Sequence, residues 1–102
     1  MALRTTLTRG REGIEMSGLI LPGRNGRVYV TPDEYDTADE AQRRLALHRR
    51  PTGYFEVPRA RLSGLSEPEE VHPHNGQPGG GREQYVDHAV DASRLPWHEV
   101  EP

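Results

Sequence analysis

The run Gln77-Pro78-Gly79-Gly80-Gly81-Arg82-Glu83 sets a lone carboxylate just beyond three consecutive glycines. Glycine has no Cβ, so its backbone can approach a ligand closely and take φ > 0 without steric cost. A carboxylate at the end of such a loop is placed to act on whatever the loop admits. Two further residues have the chemistry to work with it. Arg4 carries a fork of donors suited to a diphosphate or a ribose-bearing ligand. Tyr29, on the polar side of a strand pattern, offers a ring that can stack on another flat ring. Glu83 could then hold a ribose hydroxyl and stabilise positive charge developing at a sugar carbon, the electrostatic logic of glycosidic-bond cleavage. Each residue taken singly also has an ordinary structural reading: a solvated Glu beside a flexible turn, a Tyr in strand packing, an Arg at a frayed terminus.

These residues need elements to position them. Arg27 to Thr31 is the clearest strand pattern, β-branched and aromatic, bounded by Gly26 and Pro32. Its alternation puts Val28 and Val30 on one face and Arg27, Tyr29 and Thr31 on the other. Leu3 to Leu7 is a short Thr-rich strand, and Leu19 to Leu21 a brief apolar run closed by Pro22-Gly23. Between these two, Thr8 is placed to cap a turn or short helix with Glu12 in its first turns, Ile14 and Met16 supply apolar contacts, and Ser17-Gly18 reads as its stop. Thr37-Ala38-Asp39-Glu40 is a capping box that predicts a helix to about Leu47, with Ala38, Ala41 and Leu45 on one face and Arg43 and Arg44 outward. Thr52 to Val57 is a second strand, closed by Pro58, and Arg59 to Leu65 holds a short turn or helix. Glu67 to Gly81 reads as loop. Gln84 to Val86 and Val90 begin late strands, and Pro96 to Val100 closes the domain with Trp97 against the core. Strands separated mainly by loops, with one firm helix, predict an α+β fold rather than a doubly wound α/β fold.

Bulk properties narrow the function classes. With 102 residues, 11 of them Gly and 9 Pro, the chain makes one domain with a modest core and much loop. Net charge is -3, and the 13 basic residues, all Arg, are spread among 16 acidic ones. A sequence-unspecific grip on duplex nucleic acid wants a basic stripe, and none is present, so nucleic acid is expected only as an acceptor of a transferred group. There is no cysteine, hence no disulfide and no thiolate zinc site. No stretch approaches the ~20 apolar residues that span a bilayer, and Met1-Ala2-Leu3-Arg4 lacks the apolar run of a signal peptide. If the chain leaves its cell, something else carries it, such as a larger parent polypeptide.

Taken in order, the motifs resemble a known group. Leu3-Arg4-Thr5-Thr6, Gly13-Ile14 with Ser17-Gly18-Leu19-Ile20, and Gly26-Arg27-Val28-Tyr29-Val30-Thr31 are similar to the amino-terminal half of small ADP-ribosyltransferase toxin domains. Phe55-Glu56-Val57-Pro58 and the glycine run to Glu83 resemble the carboxy-terminal half of TreTu-like domains found at the ends of large polymorphic toxins. The resemblance runs from Leu3 to about Tyr85. It implies a split two-sheet α+β fold that grips NAD as substrate, with no metal, and releases nicotinamide while ADP-ribose passes to a macromolecule or to water. It implies delivery into the cytoplasm of a target cell and a cognate immunity protein in the producer. Carried over by position, Arg4 contacts the nicotinamide-proximal ribose or the phosphates, Tyr29 stacks on nicotinamide, and Glu83 orients the ribose. Thr5, Thr31, Gly80 and Gly81 are the accompanying NAD-binding positions. The chain departs from the pattern in carrying Arg4 where the His-Tyr type has His, and in supplying only Thr31 from Val30-Thr31-Pro32 where the Arg type has Ser-Thr-Ser. Gly81 stands where arginine-modifying members carry a second acid or Gln, so arginine is not the expected acceptor.

The remaining clusters have plainer readings. His72-Pro73-His74 lacks a third ligand at helical spacing and makes a poor metal pair. Glu67, Glu69 and Glu70 read as a solvated loop. Arg43, Arg44, Arg49 and Arg50 complement a helix C-terminus, with docking of a phosphate or acidic partner as the sharper role. Two alternatives to the NAD reading follow from the same residues. One is a non-catalytic protein-interaction module, or a degenerate member of the same fold. The other is a ribonuclease-like toxin built on His72, His74 and Arg residues.

Overall fold

The computed structural model describes the backbone of residues 2–7 and 18–99, and the side chains of residues 18–99. The turn or helix expected from Thr8, with Glu12, Gly13-Ile14, Met16 and Ser17, lies outside the described residues. Among those described, eight strands form three antiparallel sheets around one core. The α+β class expected from the sequence is the class observed.

The first sheet has the order β1 (Ala2–Leu7), β4 (Gly53–Pro58), β8 (Trp97–Glu99). Period-two alternation in β4 buries Phe55 and Val57 and leaves Tyr54 and Glu56 half-buried on the other face. Trp97 meets Phe55 edge-on at 5.0 Å between ring centroids, which fulfils its expected place against the core. The second sheet has the order β3 (Val28–Val30), β6 (Arg82–Val86), β5 (Glu69–Glu70). It turns Val28, Val30 and Val86 inward and Tyr29 outward. β1 packs beside β3, so the two sheets adjoin along the strands that carry Arg4 and Tyr29. A short ladder of β2 (Leu19–Ile20) and β7 (Val90–Asp91) adds Ile20 and Val90 to the same core.

The loop expected over Glu67 to Gly81 is more ordered than its composition suggests. It contains β5 and a tight turn in which His74 and Gln77 exchange backbone hydrogen bonds. Asn75 (φ 53°) and Gly76 (φ 74°) occupy its two central positions, the positive-φ pair that a type I′ turn demands.

Helix α1 (Ala38–Arg44) begins where the capping box predicts: the Glu40 N–H donates to Thr37 Oγ1 at 3.1 Å. The reciprocal half of the box is not made, because Glu40 Oε1 accepts from Arg44 Nε at 3.0 Å instead. Thr37→Ala is therefore expected to cost about 1 kcal/mol, the usual worth of a lost N-cap, read as a fall of roughly 4–8 °C in melting temperature. The helix stops at Arg44 rather than near Leu47. Ala46 takes φ 51°, and the carbonyls that another turn would have used are claimed by the glycine run.

His88 makes the other polar clamp of note. Its Nδ1 lies 2.7 Å from the Ala89 carbonyl and its Nε2 2.8 Å from the Ser63 carbonyl. Both partners are acceptors, so both nitrogens donate only in the imidazolium form. These two hydrogen bonds, reinforced by Asp87, raise the pKa of His88. A raised folded-state pKa adds stability that is full below the unfolded value, near 6.5, and is lost as pH rises through the folded value. Melting temperature should fall as pH rises above about 6.5 in the native chain, and His88→Gln should flatten that slope.

Candidate active site

A cleft of about 560 Å³ opens on the outer face of the second sheet. Tyr29 and Glu83 lie on its sheet side. One wall is the segment Leu45 to His48 after α1, and the other is Val71 to Asn75 after β5. The walls are tied together, because Asn75 Nδ2 donates to the Ala46 carbonyl at 3.0 Å. Tyr29 and Glu83, 54 positions apart in the chain, reach one cleft because β3 and β6 are paired antiparallel neighbours, with Tyr29 opposite Tyr85.

Glu83 is half-buried and stands opposite Glu69 in the β5–β6 ladder. Burial first, and then the charge of Glu69, push its carboxyl above the usual carboxylate range, while His72 acts in the opposite direction. A carboxyl so placed can accept a hydrogen bond from a ligand hydroxyl and titrates above the ordinary carboxylate range. The exposed Tyr29 ring sits 6.0 Å from Tyr85 at an interplanar angle of 58°. Its hydroxyl accepts from Asn25 Nδ2 at 2.9 Å, which fixes the ring over the cleft rim. The Arg27 guanidinium lies 4.0 Å from the Tyr85 centroid, completing an aromatic and cationic surface beside Glu83.

The other expected positions stand elsewhere. Thr31 is not on the open strand face: it is 2% exposed, its Oγ1 donates to the Arg82 carbonyl at 2.7 Å, and the same oxygen accepts from the Asp33 N–H at 3.1 Å. The strand ladder ends at Val30, so the alternation that predicts an outward Thr31 no longer applies. Gly80 and Gly81 are not among the residues lining the cleft. Their N–H groups are already spent: Gly79 donates to the Arg43 carbonyl, Gly80 to Val71 and Gly81 to Arg44, each at 2.9 Å. The run is neither a flexible turn nor a ligand cradle. It closes the C-terminal end of α1 and lines up Glu83 behind it.

Arg82 is also a strut. Its guanidinium makes 2.6 and 3.0 Å hydrogen bonds to Asp33 Oδ1, and its N–H donates to Oδ2 at 2.9 Å. Tyr35 donates to the same carboxylate at 3.2 Å, and burial together with the Asp33 charge pushes the Tyr35 hydroxyl up to about 12. Arg4 takes the register position of Glu56 on β4, and Thr5 that of buried Phe55; the side chains of β1 lie outside the described residues.

Sequence reasoning did not find the two walls. Leu45 to His48 carries no motif, and His72 and His74 were weighed only as a metal pair or as ribonuclease residues. The Asn75-Gly76 dipeptide was the available signal, since it marks a two-residue hairpin that folds His72 to His74 back toward Glu83. Among the described residues no group of three His, Asp or Glu is arranged to hold a metal ion, and no helix is long and apolar enough to cross a membrane. In comparisons with known proteins, no family model, no curated protein and no solved structure matches this chain.

Proposed function

We propose that this chain is an NAD-consuming toxin domain with the split two-sheet fold of ADP-ribosyltransferases, breaking the nicotinamide–ribose bond and passing ADP-ribose to an acceptor or to water. The observation that carries the reading is the meeting of Tyr29 and a half-buried Glu83 in one cleft. The adjoining sheets add support, because β1 with Arg4 runs beside β3 with Tyr29.

In this mechanism the Tyr29 ring stacks on nicotinamide and holds it against the sheet. The Glu83 carboxylate accepts a hydrogen bond from a ribose hydroxyl and faces the anomeric carbon. As the bond to nicotinamide breaks, positive charge develops on the ribose, and a fixed carboxylate in a partly dry cleft stabilises it more than water would. Arg4 supplies charge to the phosphates or the proximal ribose. A producing cell would require an immunity protein to survive such an activity, and the target would be met in the cytoplasm of a second cell.

The test is nicotinamide release, followed by chromatography, from NAD incubated with the purified chain in the presence and absence of cell lysate. Release that requires the chain supports the reading. Absence of both NAD binding and release overturns it.

A second reading is favoured by His72 and His74, which share the cleft with Glu83. An imidazole and a carboxylate across one cleft can serve as acid and base in RNA cleavage. Degradation of RNA by the purified chain without NAD selects it.

A further inference from the structure

We infer that the two walls of the cleft form a phosphoryl-anion subsite, built from His48 on one and from His72 and His74 on the other. The five histidines of the chain divide into two groups. His88 and His98 lie outside the cleft, His88 with both ring nitrogens on the Ser63 and Ala89 carbonyls and His98 with Nε2 3.1 Å from a Glu56 carboxylate oxygen. His48, His72 and His74 all line the cleft and are all exposed, and among the described residues their ring nitrogens have no hydrogen-bond partner. Three imidazoles with donors available thus open on one cavity, His48 from one wall and His72 and His74 from the other, with Glu83 and Tyr29 on its sheet side.

Two physical points decide what these donors hold. Among the described residues no group of three His, Asp or Glu is arranged to hold a metal ion, so the three rings are taken as hydrogen-bond donors. The backbone donors that the glycine run might have offered to an anion are used on the Arg43, Val71 and Arg44 carbonyls. A ligand with phosphoryl groups entering this cleft therefore meets imidazole N–H groups, not a backbone cradle. The Asn75–Ala46 hydrogen bond ties the segment of His72 and His74 to the segment bearing His48, so the two walls are held together around the cavity.

The identity of the ligand as a dinucleotide rests on the NAD reading; the anion subsite itself does not. The probes are inorganic pyrophosphate, ADP-ribose and a short single-stranded RNA, titrated into the full chain while imidazole resonances are followed by NMR. Pyrophosphate should move the resonances of His48, His72 and His74 and leave those of His88 and His98 in place. His72→Ala with His74→Ala should weaken ADP-ribose binding at least about tenfold, with melting temperature unchanged and nicotinamide binding unaffected. ADP-ribose binding tighter than RNA assigns the phosphates to a dinucleotide; the reverse assigns them to a polynucleotide in the same subsite. Cleft resonances that do not respond to pyrophosphate, or a double variant that binds ADP-ribose as the native chain does, overturn the subsite even if nicotinamide is released. A positive titration without nicotinamide release keeps the subsite and removes the NAD chemistry.

Discussion

Glu83→Gln is expected to lower nicotinamide release by about a thousandfold while leaving the fold intact. That factor corresponds to about 4 kcal/mol of lost transition-state stabilisation. The substitution keeps the shape of the side chain and removes the negative charge that would face the ribose carbon. Stability should hold or rise slightly, because Glu83 stands opposite Glu69 and like charges directly across a ladder are destabilising by roughly 0.2–1 kcal/mol. The pH profile gives a second readout. The reaction needs the ionised carboxylate, and burial together with Glu69 raises its pKa. Activity should therefore fall on the acid side at a pH above the ordinary carboxylate range, and substituting Glu69 by Gln should shift that limb to lower pH. Release within about threefold of the native rate in Glu83→Gln would remove Glu83 from the chemistry.

Gly79→Ala is expected to destabilise the chain by about 2–5 kcal/mol. Gly79 has φ +72°, and a Cβ there would overlap the Val71 carbonyl oxygen and come within 3.0 Å of the His72 backbone. The left-handed conformation costs an alanine about 1–2 kcal/mol, and overlap with fixed backbone adds about 1–3. A fall of at least about 10 °C in melting temperature should result. Gly26→Ala is the control, with φ +76° and nothing within 4 Å of the added carbon, so it bears the conformational cost alone. If Gly79→Ala melts like the native chain but no longer binds NAD, the glycine run is a ligand loop after all, and its role as a closure for α1 is wrong.

These two substitutions probe opposite ends of one seven-residue stretch, and the stretch shows where sequence reasoning stops. The carboxylate and the glycines are adjacent in the chain, which suggests one shared task. The fold separates the tasks. Gly79 and Gly81 spend their N–H groups on the Arg43 and Arg44 carbonyls at the end of α1 and Gly80 spends its own on Val71, whereas Glu83 turns into the cleft. Thr31 shows the same limit: alternation holds only while the ladder continues, and it ends one residue earlier.

What the residues determined by themselves was local. Alternation in Val28 to Val30, the strand read over Thr52 to Val57, the Thr37 cap and the strand ending at Val86 all depend on near neighbours, and all are found, the second strand as Gly53–Pro58. The α+β class and the place of Trp97 follow from those same patterns. What only the tertiary structure decided was which side chains converge. The pairing of β3 with β6, the turn at Asn75-Gly76 and the bond from Asn75 to Ala46 bring Tyr29, Glu83 and three histidines around one cavity. Such convergence depends on hydrogen bonds between segments far apart in the chain, and no local periodicity encodes which distant carbonyl a glycine N–H will find.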